Sequence, residues 1–145
     1  MSKVEDFLSL KQEEEIVNAI RQAERNTSGE IRVHIEKTTT ISHYDRALEV
    51  FQKLKMFNTK EQNAVLIYLA VEDHKFVIYG DKGIDAVIAD DFWDTTRNIM
   101  QEEFKQGNFT QGIVKGILKA GNELKTHFPW QIDDENELSN EISKG

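Results

Sequence analysis

The sequence predicts a single α/β domain, a three-layer α/β/α sandwich whose small mixed sheet is flanked by about four helices. Three observations carry this. Residues 64–71, Ala-Val-Leu-Ile-Tyr-Leu-Ala-Val, form an unbroken apolar run with β-branched and aromatic content, as in a strand buried on both faces. Residues 30–36, Glu-Ile-Arg-Val-His-Ile-Glu, alternate with period two and place Ile31, Val33 and Ile35 on one face. Before, between and after these runs, apolar residues recur at the i, i+3, i+4 spacing of amphipathic helices.

The first helix is expected over residues 10–25. Ser9-Leu10-Lys11-Gln12 has the form of a capping box, and Ile16, Val17, Ala19, Ile20 and Ala23 share a face. Asn26-Thr27-Ser28-Gly29 is turn chemistry, so strand 1 occupies residues 30–36. His34 lies with Arg32 and Glu36 on the face opposite the isoleucines, which predicts an ion-paired or solvated histidine over a metal ligand. After a threonine-rich loop, Tyr44, Ala47, Leu48, Phe51 and Leu54 mark a second helix over residues 43–56. Strand 2 follows at 64–71. The short polar link Glu72-Asp73-His74-Lys75 is hairpin length, so strand 3, residues 76–79, runs antiparallel to strand 2. Strands 1 and 2, joined through a helix, are parallel. This topology brings Glu30, Asn63 and Gly80-Asp81 to one end of the sheet.

Phe92, Ile99, Met100 and Phe104 pattern a third helix ending at Gln106-Gly107. A fourth, capped by Asn108, carries Phe109, Ile113, Ile117, Leu118, Leu124 and Phe128 on one face before Pro129. Gly112, Gly116 and Gly121 would each weaken an isolated helix by about 1 kcal/mol relative to alanine, so close packing is expected at them. From residue 130 to 145 the chain is acidic and polar, and a mobile tail is expected outside a domain spanning 1–129.

The chain's 145 residues suffice for one core and suggest no second domain. A net charge of -8 disfavours nucleic acid, whose nonspecific binding needs clustered Lys and Arg. With no cysteine, disulfides, thiolate metal sites and a cysteine nucleophile are excluded. No run approaches the eighteen or so apolar residues of a membrane span, and the first residues, Met1-Ser2-Lys3-Val4-Glu5-Asp6-Phe7, lack the pattern of a signal peptide. A cytoplasmic monomer is the expectation. G-x-S-x-G, Walker-A, H-E-x-x-H and C-x-x-C patterns are all absent.

What remains is a concentration of carboxylates where strand 3 stops at Gly80-Asp81-Lys82-Gly83. Glu30, Asp81, Asp85, Asp90 and Asp91 are candidate ligands of a hard divalent cation, Ca²⁺ or Mg²⁺, which takes several oxygen donors. Acids held this close repel, and a cation removes that cost. Two plainer readings stand beside it. Asp90 or Asp91 serves as a helix N-cap, or some of the acids face solvent and keep the loop soluble. Asp81 follows a glycine at a strand exit and is read as a ligand, not a cap. Phe92, Trp93 and Trp130 lie next to polar segments and are either core or exposed contacts.

Asn26-Thr27-Ser28-Gly29-Glu30-Ile31-Arg32-Val33, Asn63-Ala64-Val65-Leu66-Ile67-Tyr68, Tyr79-Gly80-Asp81-Lys82-Gly83-Ile84 and the Phe104, Phe109, Gly112-Ile113 spacing together resemble the TPM domain. The resemblance spans residues 10–128 and implies an α/β/α domain with an acidic pocket for divalent cations. It also implies a proposed acid phosphatase activity, associated with chloroplast-lumen members that support photosystem II repair. By position the pocket is Glu30, Asp81 and the acids of 85–91. The signal peptide and membrane anchor of many members are not read in this chain. The expected function is divalent-cation binding, with metal-assisted hydrolysis of a phosphate-ester substrate as the reaction class and no assignable catalytic residue. The alternative is a noncatalytic, metal-ordered module that binds a protein partner.

Overall fold

The computed structural model describes residues 8–130 and 140–145. Its elements are α1 (Leu10–Glu24), β1 (Glu30–Glu36), α2 (His43–Lys53), β2 (Ala64–Ala70), β3 (Lys75–Gly80), α3 (Lys82–Asp85), α4 (Asp94–Lys105), α5 (Phe109–Lys125) and β4 (Ser143–Lys144). The capping box forms as expected: Ser9 Oγ accepts from the Gln12 amide at 3.1 Å, and the Gln12 side chain accepts from the Ser9 amide at 2.8 Å. The sheet order is β3-β2-β1-β4. β1 pairs in parallel with β2, Glu30 opposite Ala64 through Glu36 opposite Ala70, and β3 is antiparallel to β2.

Period-two alternation divides the side chains of the sheet between two cores. Ile31, Val33, Ile35, Val65, Ile67 and Leu69 face α1, α4 and α5, against Ile16, Ile20, Met100, Ile113 and Ile117. Ala64, Leu66, Tyr68 and Ala70 face α2, against Ala47, Val50 and Phe51. This makes three layers, with every residue of β2 buried. Each such Leu or Ile removed from water contributes about 1.5–3 kcal/mol. The helix glycines mark close approaches. A Cβ on Gly121 would stand 2.7 Å from the Ala23 Cβ of α1, and Gly112 and Gly116 make room for Phe104 and Met100 of α4.

The structure corrects four expectations. A one-turn helix, α3, follows the strand 3 exit, making five helices among the described residues. Asn108 holds the N-cap position of α5 but makes no side-chain cap bond, and its Nδ2 donates to Glu103 at 3.1 Å. The second helix stops at Lys53, since Lys55 takes a left-handed φ of 56°. The tail expected to be mobile is docked at its far end, where Ser143 and Lys144 pair in parallel with His34 and Ile35. Residues 131–139 of that tail, and the N-terminal stretch 1–7, lie outside the described residues. No helix among the described residues is long and apolar enough to cross a membrane.

Candidate functional site at the acidic end of the sheet

The topology delivers the predicted gathering. The Glu30 amide donates to the Asn63 carbonyl at 3.4 Å, Asp81 N–H to the Ala64 carbonyl at 3.0 Å, and Gly83 N–H to the Gln62 carbonyl at 2.8 Å. Glu30 and Asp81 therefore flank Ala64 from its two sides, and by alternation both stand on the α2 face. Both are buried, at 4% and 5% exposure.

Gly83 is the hinge of this corner. A Cβ there would lie 2.0 Å from the Glu61 carbonyl oxygen and 2.6 Å from that of Gln62, and backbone cannot step aside as a flexible side chain can. Gln62 adopts a left-handed φ of 50° in the same turn. Gly83→Ala is expected to cost about 1–3 kcal/mol by overpacking and to shift the amides of residues 61–62 and 81–85. An unchanged thermal midpoint with undisturbed amides would show that the contact is slack.

Asp81 has two roles within one carboxylate. Its backbone (φ -71°, ψ 173°) makes it the N-cap of α3, and Oδ1 accepts from the Lys82 amide at 2.8 Å. The expectation that Asp81 could not cap is thus corrected, because the chain turns helical immediately after the glycine. Oδ2 is buried and meets no hydrogen-bond donor among the described residues. One turn on, Asp85 is an exposed residue, yet its carboxyl is pushed above the usual carboxylate range, first by partial burial and then by the negative charge of Asp81. Both charges also hold the Tyr79 phenol up, after burial and Tyr44.

Asp90 and Asp91 are not drawn into this corner. They are exposed in the turn after α3, and neither caps α4, whose N-cap is Trp93 with no side-chain bond. The acidic group of the first turn of α4 is Asp94, paired with Arg97. Phe92 and Trp93 pack edge to face at 4.7 Å with Trp93 in the core, whereas Trp130 is 48% exposed.

The donors at this corner are all oxygen, which suits a hard cation. Among the described residues, however, no three acidic or histidine side chains come together as a ligand set. Adjacent strands lie about 4.8 Å apart, so Glu30 and Asp81, separated by β2, are two strand spacings apart. A cation here would rest on Asp81 and Asp85, with backbone carbonyls and water completing its shell.

Two further charged groups, Glu36 and Glu24, lie outside the predicted site residues. Glu36, at the end of β1, accepts from Arg46 Nε and Nη2 at 2.9 Å each, from the Tyr68 hydroxyl, and from His34 Nε2 at 3.0 Å. His34 is thus hydrogen-bonded to Glu36 in a buried setting that lowers its affinity for a proton, so it is neither the ion pair nor the solvated ring expected. Glu24, the last residue of α1, accepts from the Ile31 amide at 3.0 Å, and burial raises its carboxyl to about 7. The signal for the first was the run of charges at alternate positions on strand 1. Glu24 had none.

One closely similar solved structure is the NMR structure of the BA42 protein from the psychrophilic bacterium Bizionia argentinensis, 66% identical over all of both chains with a TM-score of 0.93. The N-terminal domain of a P. gingivalis protein, at 22% identity and TM-score 0.68, shares the fold over 83% of this chain and 78% of its own. The N-terminal domain of the cg2496 protein from Corynebacterium glutamicum does so at 13% identity and TM-score 0.63, over 95% and 80%. No curated protein matches the chain. The family model of the TPM domain matches residues 1–123, and the chain belongs to that family.

Proposed function

We propose that this TPM domain binds a hard divalent cation, Ca²⁺ or Mg²⁺, at the acidic end of its sheet, with Asp81 and Asp85 as the protein carboxylates. The observation that supports the reading most is the buried Asp81 Oδ2, which has no hydrogen-bond donor among the described residues and lies close to a second carboxyl that it perturbs. A buried carboxylate oxygen without a partner is costly, and a cation is the partner that would also quiet the repulsion from Asp85. Glu30, in the same row of the sheet, adds negative potential.

Because Asp81 is also a cap, alanine would confuse the two roles. Asparagine separates them, since it caps as well as aspartate but removes the charge. Asp81→Asn is expected to keep the metal-free thermal midpoint within about 2 °C, as for an intact cap. It should lose most of the calcium-dependent rise in midpoint that binding gives by mass action. In the unmodified protein, Ca²⁺ should shift the amides of residues 80–85 and Glu30 most. If Asp81→Asn keeps the full calcium response, Asp81 is not a ligand and the reading fails.

Bound there, the cation would supply Lewis acidity to a phosphoryl oxygen, the chemistry of a metal-assisted phosphatase. A second reading, a noncatalytic module that a cation orders for a protein partner, draws support from two exposed apolar residues. Val87 follows α3, and Trp130 follows the Thr27–Pro129 bridge, so both flank the acidic end, each 48% exposed. Turnover of p-nitrophenyl phosphate that requires Ca²⁺ or Mg²⁺ and disappears in Asp81→Asn would favour the phosphatase. Cation binding without turnover would favour the module.

A further inference from the structure

On its inner side β1 pairs with β2 along its whole length, and on its outer side it pairs only with the two-residue β4. A bare edge offers unpaired amides and carbonyls to any extended segment, and proteins cover or exploit such edges. Here the Glu24 carboxylate takes the Ile31 amide. Further along, the chain's own residues 141–145 lie against the strand in a fixed register, His34 opposite Ser143 and Ile35 opposite Lys144, with the Gly145 amide donating to the Ile35 carbonyl at 2.9 Å.

Successive residues of this segment meet different features. The Glu141 carboxylate lies near enough to Arg32 to counter part of the cost of burying its guanidinium. Ile142 packs against the larger core. Ser143 Oγ and His34 Nδ1 are 2.9 Å apart, and because Glu36 engages the other ring nitrogen, the serine hydroxyl donates to a neutral ring. Lys144 Nζ pairs with Glu13 Oε1 of α1 at 2.6 Å. At Gly145 an added Cβ would fall 2.6 Å from Glu36 Oε1 and 2.8 Å from His34 Nε2, so a side chain there would collide. The order read is acidic, aliphatic, hydroxyl, basic, glycine.

The main-chain pairing that holds the segment is only two residues long, against about five or six for an ordinary strand. Side-chain matching therefore supplies much of the selectivity, while the ladder itself holds weakly. We propose that the outer edge of β1 is a docking site for an extended segment of a partner protein with this acidic–aliphatic–hydroxyl–basic–glycine pattern, which the chain's own residues 141–145 occupy in cis. The partner adds a parallel strand to β1 and displaces the resident segment. Charge complementarity selects it: Arg32 for the acid on the α2 face, Glu13 for the base on the α1 face.

The test uses the full chain and a blocked peptide of residues 140–145 as the probe. Ile142→Asp with Lys144→Glu should release the resident segment, and the peptide should then bind saturably, shifting the amides of residues 31–36 and Glu13. Affinity should be at least tenfold higher than for the unmodified chain, where the resident segment competes. A peptide carrying Lys144→Glu should bind the released chain at least tenfold more weakly, and adding Glu13→Lys to the chain should restore it. If the double variant does not fold, Ser143→Pro, which removes a ladder donor and leaves the core untouched, takes its place. The proposal is overturned if the peptide fails to bind a folded released variant, or if it binds released and unmodified chains equally. It is also overturned if the unmodified chain forms dimers by exchanging residues 141–145, since the edge would then serve a second copy.

Discussion

Replacing Glu36 by alanine is expected to lower the unfolding free energy by about 3–5 kcal/mol at pH 7, the range for breaking one side of a buried ion pair. Glu36 is 5% exposed and accepts hydrogen bonds from Arg46, Tyr68 and His34. Removing it strands a guanidinium, a phenol and an imidazole N–H in a space that two elements, β1 and α2, close from both sides. Burial alone would raise its carboxyl, but hydrogen bonds from Arg46, Tyr68 and His34 outweigh that and hold it at about 2. A carboxyl depressed from 4.5 to about 2 stabilises the fold fully above 4.5, and that contribution is lost as pH falls toward 2. Urea unfolding of the unmodified protein and Glu36→Gln should therefore differ at pH 7 and converge toward pH 2. A loss below about 1 kcal/mol for Glu36→Ala at pH 7 would mean that the network is replaceable by water.

This network shows what the sequence could and could not disclose. The alternation of residues 30–36 is legible, and so is the assignment of Ile31, Val33 and Ile35 to one core. The charged face of the same strand looks like a solvated face, because periodicity says which residues share a side and not what covers it. α2 covers it, and its Arg46 reaches a carboxylate ten residues away in sequence. The apolar run of 64–71 left no such ambiguity, since a strand hydrophobic on both faces must be central whatever its neighbours.

At the acidic end the limits are of another kind. Strand directions correctly bring Glu30, Asn63 and Asp81 together, since that follows from a hairpin and a crossover alone. Convergence of all five acids does not follow, because it depends on the path after Gly83. A four-residue helix is too short to register as periodicity, yet α3 turns the chain so that Asp85, itself exposed, stays within electrostatic reach of Asp81 while Asp90 and Asp91 are carried further along an exposed turn. The docking of residues 143–144 is hidden for a related reason: two paired residues in a polar stretch have no pattern, and their partners are more than a hundred positions away.

Glu24→Gln is expected to stabilise the protein at pH 8, by up to about 3 kcal/mol, and to have little effect near pH 4.5. Glu24 ends α1 and accepts from the Ile31 amide at 3.0 Å, where burial raises its carboxyl from 4.5 to about 7 and the hydrogen bond only partly offsets this. Between those two values the folded chain holds a proton that the unfolded chain releases. Stability therefore falls as pH rises through the window from 4.5 to 7, the opposite of the Glu36 contribution, which acts below 4.5. Glutamine keeps a carbonyl oxygen for the Ile31 N–H and has no charge to bury, so the variant escapes the loss. His34, whose proton affinity burial lowers, also titrates with a stability consequence below 6.5, but it does so equally in both proteins and cancels in their difference. Unfolding free energies at pH 4.5, 6 and 8 give that difference directly, and a carboxyl carbon titration locates the Glu24 midpoint. A variant no more stable than the unmodified protein at pH 8, or a Glu24 midpoint near 4.5, would show that water reaches this carboxylate and that the first amide of the β1 edge is held without cost.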